Sequence, residues 1–371
     1  MMKNDNSLRS VSISRLLLDM IQETKQSAGD GTLLMMIVDP YTMKILSAFL
    51  TISELFAKGI ISIENLEVGR KRFPKYHCIY FVNPTQSSID YIKKDFPDPE
   101  HPQYGRIHLF FCHRISDQLL DSLISTSHLA KRIKTCKELN ISYFLRDRNL
   151  FDLGMPNALE IYTQVNEKSK DVNPIVESML NSIAEKLFTV CVSLKEYPYV
   201  QFQKTNLLTS KLAKIINGMF KSFYETKVFN EKRGVLLIVD RSIDATTPLL
   251  HDYSYESILY DFFEINDNLL TFRDKKHKLE EKDDVWMKFK NKHIAEVLNG
   301  LQEDFKGFMD SDATKKQRDK DSLESFEKMA DVLHGMKEFK ETSRKFGLHL
   351  NVADEITKVI IIYYIFSIIL I

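Results

Sequence analysis

The sequence predicts an α/β protein: a parallel-sheet N-terminal domain, a second α/β domain, and then a largely helical domain. Three observations predict it. Short apolar runs recur at residues 33–38, 78–82, 107–111 and 141–145, separated by stretches with helical spacing and joined by short polar turns. Strands of that kind, buried on both faces, belong to parallel sheets covered by helices. After Asp152 two long amphipathic patterns lead to a further run at residues 235–239, and beyond Glu264 helical spacing dominates.

Taken in order, Ile13, Leu16, Leu17, Met20 and Ile21 fall on one face of a first helix, which the Ser-Ala-Gly-Asp-Gly stretch then breaks. The run at 33–38 ends at Asp39-Pro40, and Met43, Ile45 and Leu46 begin a short helix. Asn83-Pro84 closes the second strand, and Ile89, Tyr91 and Ile92 lie in the next helix. The third strand precedes a helix over about residues 117–125, and the fourth is placed at 141–145. Ile175, Met179, Ile183, Leu187 and Val190 form one long helical stripe, and Leu208, Leu212, Ile215, Ile216, Met219 and Phe223 form another. Ile294, Val297 and Leu301 mark a helix, residues 310–321 an exposed polar loop, and residues 323–336 and 348–359 two further helices.

The 371 residues are 44% hydrophobic and 27% charged, enough for two or three domains with ample core. Lys+Arg and Asp+Glu both number 51, a balance that argues against a general nucleic-acid binder but not against a local basic patch. Cys78, Cys112, Cys136 and Cys191 are far apart and form no C-x-x-C, which suits a reducing compartment and gives no zinc signal. The first ten residues lack the apolar core of a signal peptide, so the expected location is cytoplasmic. Residues 359–371 are almost wholly apolar but short of the roughly 20 that a spanning helix needs. The expectation is a chain cut off within a domain rather than a tail anchor.

The stretch from 233 to 264 organises the chain. An apolar run, read as a strand buried on both faces, ends at Asp240-Arg241, with Asp244 and Pro248 behind and Tyr255, Ile258, Leu259 and Phe262 then at helical spacing. Two readings compete for the loop. One sets Asp240, Asp244, His251 and Asp252 around a metal or a transferred phosphate, giving a metal-dependent hydrolase or phosphotransferase using Asp240, Asp244 and Asp252. The other makes Asp240, Arg241 and Asp244 a buried, salt-bridged corner between domains, and it is favoured because the spacing departs from Asp-x-Asp and buried charges need partners. No P-loop, G-x-S-x-G elbow or G-x-G-x-x-G after the first strand is present. No cofactor, metal or catalytic residue is expected, and an α/β sheet without a nucleotide fingerprint points to a binding scaffold.

Asp-Arg-Ser-Ile-Asp, followed by Thr-Pro-Leu-Leu-His-Asp and Tyr-x-x-x-Leu-Tyr-Asp up to Asp261, resembles the signature of the SM family, the Sec/Munc-type, syntaxin-binding regulators of SNARE-driven membrane fusion. Ile37-Val38-Asp39 with Met43 to Ser47, Gly59-Ile60 with Ile63-Glu64, Arg70 to Pro74, Ile79-Tyr80-Phe81, Asp95-Phe96 and His108 to Phe111 are similar to family positions in the family's order. Trp286, His293-Ile294-Ala295 and Leu348-His349-Leu350 continue the match.

The resemblance implies an arch of three domains: residues 28–150 after an N-terminal segment 1–27, residues 151–252 as the first half of an incomplete second domain, and residues 253–371 as the start of the helical third. It implies a cytoplasmic monomer that binds a syntaxin-type SNARE and the assembled SNARE bundle, touches membranes only through SNAREs, and serves vesicle docking and fusion in exocytosis. A partner-binding cleft would use Asp39, Met43, Lys44, Glu64 and Arg70. An outer pocket for the syntaxin N-terminal peptide would use Leu120, Ile133, Cys136 and Glu138, with Leu120 where relatives often have an aromatic residue and Cys136 in place of a bulkier apolar one. Asp240, Arg241, Asp244, Pro248, His251 and Asp252 would be a structural signature. Lys337 stands where relatives commonly place a proline after the methionine, so that helix is expected to run on as one rod.

Overall fold

In the computed structural model, residues 7–29, 32–163, 173–224, 232–266, 268–280, 282–310 and 326–369 are described; side chains are not described for 326–337 and 361–369. Most of the loop expected at 310–321, the helix expected to begin at 323 and the last apolar residues therefore lie outside the described residues or side chains. The chain divides into two compact units, Met1–Ile243 and Asp244–Ile371.

The first unit begins with α1 (Leu8–Arg15), a π-helical segment (Leu16–Gln22) and α2 (Glu23–Ala28). A five-stranded sheet follows, built from β1 (Leu34–Val38), β2 (Ile60–Asn65), β3 (Phe73–Val82), β4 (Tyr104–Phe111) and β5 (Ile133–Glu138). The order is β2-β1-β3-β4-β5 and every pair is parallel. The crossovers carry α3 (Pro40–Phe49), α4 (Ile52–Ala57), α5 (Gln86–Lys94), α6 (Asp117–Ile124) and α7 (Ser127–Ala130). Each sheet face packs a separate apolar layer. Leu34, Met36, Val38, Ile79, Phe81 and Phe110 face Ile45, Leu46 and Phe49 of α3. Cys78, Tyr80, Val82, Ile107, Leu109 and Phe111 face Ile89 and Ile92 of α5, Leu123 of α6 and Leu129 of α7. Continuous apolar runs in the central strands follow directly, since both faces are covered.

Two expectations for this sheet need correction. The fourth strand is not at 141–145. Ile141 and Tyr143 are buried, but only β6 (Phe144–Leu145) pairs there, antiparallel with β7 (Phe151–Asp152). The edge strand is β5, whose Ile-Lys-Thr-Cys-Lys-Glu is mostly exposed and carries no apolar run. At the other edge β2 is equally uneven, with Ile60 buried and Ile61 exposed. Edge strands face water along one side and so lose the continuous hydrophobic signal.

The rest of the first unit comprises α8 (Ala158–Thr163), α9 (Pro174–Ser193), β8 (Tyr199–Phe202), α10 (Leu207–Tyr224) and β9 (Val235–Ile238). β8 and β9 form a two-stranded parallel sheet. Ile238, with Leu236 and Val200 partly buried, packs on the α9 and α10 side chains. The strand is not buried on both faces as its composition suggested. Val235 is 58%, Leu237 62% and Val239 46% exposed, because helices cover only one face of the pair.

The second unit holds α11 (Tyr255–Phe262), then an antiparallel meander of β10 (Ile265–Asn266), β11 (Leu269–Phe272) and β12 (Lys275–Lys278) in a region read as helical. Its turns place Asn268, Arg273 and Asp274 in the left-handed region. α12 (Asp284–Phe289), α13 (Ile294–Asp310) and α14 (Phe326–Ile369) complete the unit. The two helices expected at its end are one 44-residue rod that passes through Met336 and Lys337 without a break. Its core joins Tyr255, Leu259, Trp286, Phe289, Val297 and Leu301 to Val352, Ala353 and Ile356 of α14.

Candidate functional site

The carboxyl ends of β1 and β3 are where the strand order reverses, the place at which open parallel sheets bind ligands. Here the protein fills that crevice itself. Asp39, directly after β1, caps α3: its Oδ1 accepts from Thr42 N at 2.8 Å while Thr42 Oγ1 accepts from Asp39 N at 3.1 Å. Pro40 supplies the first helical position, where no backbone donor is needed. Asp39 Oδ2 then accepts from Asn83 N at 2.5 Å, and Thr42 Oγ1 donates to Phe81 O at 2.7 Å. Asp39 is only 5% exposed, so its carboxylate ties β1, α3 and β3 together rather than facing outward. Met43 and Lys44, one turn on, are exposed.

Glu64 lies at the end of β2, partly exposed, with Ser62 Oγ donating to its Oε1 at 3.1 Å. With Asn65, Val68, Gly69, Arg70 and Lys71 it lines an open groove of about 360 Å³. The Arg70 side chain is 5% exposed. Its Nη1 donates to Asn65 O at 2.6 Å and Leu66 O at 2.5 Å, and its Nη2 donates to Asp95 Oδ1 at 2.6 Å. Tyr80 donates to the same carboxylate at 2.7 Å. Burial is the largest influence and works against the guanidinium charge, but Asp95 together with Tyr80 and Tyr104 raises Arg70 on balance. Burial also lifts the Asp95 carboxyl above its usual value, opposed by the Tyr80 hydrogen bond and by Arg70. Of the five expected cleft residues, Met43 and Lys44 are exposed and Glu64 partly so, whereas the Asp39 and Arg70 side chains are buried and bonded within the protein.

The four outer-pocket residues come together on one face. Ile133, Cys136 and Glu138 pair with Ile107, Leu109 and Phe111 of β4, which alternate along one side of the sheet. The uneven spacing of the β5 residues is reconciled by a one-residue register slip at Lys134. Leu120 of α6 and Ile133 pack partly buried on that same layer, and Cys136 and Glu138 are exposed. Glu138 Oε1 accepts from Ile115 N at 3.0 Å, which ties the strand to the loop before α6. Burial and Glu138 both raise the Cys136 thiol, keeping it neutral and apolar in character.

The stretch Asp240 to Asp252 is neither a buried corner nor a convergent carboxylate set. Residues 241–250 are exposed. Each acid accepts hydrogen bonds within its own turn: Asp240 accepts from Ser242 N at 2.9 Å and from the Ser242 hydroxyl. Asp244 accepts from the backbone N–H groups of Thr246 and Thr247, both at 3.0 Å. Asp252 accepts from the hydroxyls of Ser254 at 2.8 Å and Ser257 at 2.9 Å. These bonds hold Asp240 and Asp252 below the usual carboxylate range. Arg241 is exposed within one short 3₁₀ turn, and Pro248 lies inside a second, Thr247–Leu249. His251 Nδ1 lies 2.8 Å from Asp261 Oδ2. Among the described residues no group of three or more His, Cys, Asp and Glu side chains is placed to hold a metal ion. The turns are Asx-type loop geometry, and physics favours charge-capped turns there over the metal-dependent reading.

Residues 35–361 match the Sec1 family. A protein transport protein sec1 of Dictyostelium discoideum is 28% identical over 361 residues, covering 94% of this chain and 58% of that protein. The Unc18–syntaxin 1 complex from Monosiga brevicollis superposes with a TM-score of 0.80 at 24% identity, covering 95% of this chain and 63% of that one. Sly1p in complex with an N-terminal peptide of Sed5p gives 0.80 at 21% identity, covering 96% and 60%. The chain thus spans about 58% of the length of the Dictyostelium relative.

Proposed function

This chain belongs to the Sec1 family, and from that premise we propose that it binds a syntaxin-type SNARE and regulates vesicle docking and membrane fusion in exocytosis. The observation that carries the reading is the convergence of Leu120, Ile133, Cys136 and Glu138 on one face at the open edge of the sheet. A partly exposed shelf of apolar side chains with one carboxylate suits a short peptide that brings an apolar anchor and a basic group. The same edge can add a peptide strand along β5, which among the described residues pairs only with β4. Met43, Lys44 and Glu64 supply a second, charged contact that orients a helical bundle more than it tightens it. On this reading the chain reaches membranes through its SNARE partner; among the described residues no helix is long and apolar enough to cross one.

The test is a pull-down with a panel of syntaxin cytoplasmic domains, each with and without its N-terminal peptide. Binding to one member, reduced when the peptide is removed, is the expected result and places the main contact on the outer pocket. A folded chain that captures no syntaxin overturns the reading. Loss of binding on chelation would bring back the metal-dependent alternative.

A further inference from the structure

A second surface of the first unit has a chemistry that the SNARE reading does not use. Lys75, His77, Arg106, His128, Lys131 and Arg132 line an open groove of about 610 Å³ at the amino ends of β3, β4 and β5. They come from separate segments, and the sheet assembles them. His77 lies opposite Arg106 in the β3–β4 register, and Lys131 and Arg132 immediately precede β5. The two arginines are held by backbone carbonyls, not by carboxylates. Arg106 Nη1 donates to Lys131 O at 3.0 Å. Arg132 donates through Nη1 to Gly105 O and through Nη2 to Pro99 O, both at 3.1 Å. His128 Nε2 bonds Phe96 O at 2.7 Å.

Those bonds fix the guanidinium groups without neutralising them, and each arginine keeps further N–H donors. Among the described residues no carboxylate pairs with Lys75, Arg106, Lys131 or Arg132. The surrounding field is positive: burial lowers His77, and Arg106 and Lys134 lower it further. Gly105 keeps the floor narrow, since a Cβ there would sit 2.6 Å from Pro74 O. In a chain whose charges cancel overall, such a local excess is a specific arrangement.

We propose that this groove binds a multiply phosphorylated anion of the inositol polyphosphate class, either free or as the headgroup of a membrane lipid. Its volume matches a compact polar ligand. Positioned arginines bind phosphate oxygens in bidentate fashion while lysines add unrestricted charge. The groove lies at the amino ends of β3, β4 and β5, whereas Cys136 and Glu138 lie toward the carboxyl end of β5. The site therefore stands whether or not the SNARE reading holds.

The experiment has two arms on the full chain. One titrates inositol hexakisphosphate by calorimetry; the other floats the chain on phosphatidylcholine vesicles with and without phosphatidylinositol bisphosphate. Lys75 and Lys131 are exposed, so Lys75→Glu/Lys131→Glu removes charge without touching the core. That double variant is expected to weaken binding about tenfold or more, as two screened charge contacts would. Lys58→Glu/Lys214→Glu, matched in charge change at exposed positions elsewhere, is expected to stay near wild type. Binding in the free-ligand arm alone assigns a soluble polyphosphate, and binding in the vesicle arm assigns a lipid headgroup. No binding in either arm by folded protein, or equal loss in the matched control, overturns the site.

Discussion

His349 of α14 places Nε2 3.2 Å from Asp283 Oδ2, with the imidazole fully buried. Its Nδ1 pairs with the Tyr255 hydroxyl at 3.0 Å and its ring stacks on Trp286, with centroids 5.9 Å apart. Asp283 Oδ1 meanwhile accepts from Trp286 N at 3.0 Å and caps α12. One imidazole thereby joins α11, α12 and α14. Replacing it with leucine leaves a mostly buried carboxylate without its partner, and the second unit is expected to lose about 3–5 kcal/mol. Chemical denaturation of His349→Leu against wild type measures it, and an unchanged midpoint would show that the ring is merely packed.

The same pair sets a pH dependence. Burial would raise Asp283, but the hydrogen bond from His349, its charge and the Trp286 N–H outweigh burial and hold the carboxyl below its ordinary value of 3.8. A depressed carboxyl contributes stability that is present above the unfolded value and lost as pH falls through the folded one. The stability gap between wild type and Asp283→Asn is therefore expected to be full near neutrality and to close in acid below about pH 4. A gap that stayed open well below that pH would contradict the assignment.

Arg70 and Asp95, 25 residues apart, form the corresponding buried pair in the first unit. Asp95→Ala strands a guanidinium inside the protein and is expected to cost about 3–5 kcal/mol. Arg70→Lys should recover little, because one ammonium cannot reach both the carboxylate and the carbonyls of Asn65 and Leu66. Thermal unfolding of the two variants and the double replacement with apolar residues reads the difference. Loss of syntaxin binding in Arg70→Lys with unchanged stability would instead make Arg70 a direct contact.

How much of this was legible in the sequence depended on burial. β1, β3 and β4 are covered on both faces and announced themselves as apolar runs. β2 and β5 are edges, half wet, and their mixed sequences hid them. Ile141 and Tyr143 mislead for the opposite reason: they are core residues of an irregular segment that follows the left-handed Asn140 and is not in the main sheet. The outer-pocket residues could be named only through the family resemblance, since the slip at Lys134 that aligns Ile133 with Cys136 and Glu138 leaves no mark in residue spacing. Arg70 could likewise be named only through the family resemblance, and its pairing with Asp95, 25 residues on, leaves no mark in the local sequence. The basic groove escaped altogether, its charges being spread from Lys75 to Arg132 in a chain of zero net charge.

Cys136 offers the sharpest test of the pocket. It is exposed, so Cys136→Glu should leave the unfolding temperature nearly unchanged while placing a charge on the apolar shelf. Peptide-dependent syntaxin binding is expected to fall about tenfold or more. Glu138→Gln should cost less in binding and leave the bond to Ile115 N in place. If Cys136→Glu binds as wild type does, the peptide does not cross this face.

The open face of β9 makes the last prediction, because its two sides should respond oppositely. Ile238 is 8% exposed and packs with Leu212, Ile216 and Phe220, so Ile238→Ala should cost about 2–4 kcal/mol. Val235, Leu237 and Val239 are exposed, on a strand that among the described residues pairs only with β8. A bare apolar strand edge is a template for self-association. Leu237→Lys is therefore expected to change stability by less than about 0.5 kcal/mol while sharply reducing dye binding and self-association on light scattering. A variant that unfolds, or that aggregates as wild type does, would show that Leu237 is covered in solution and that the exposed face lies elsewhere.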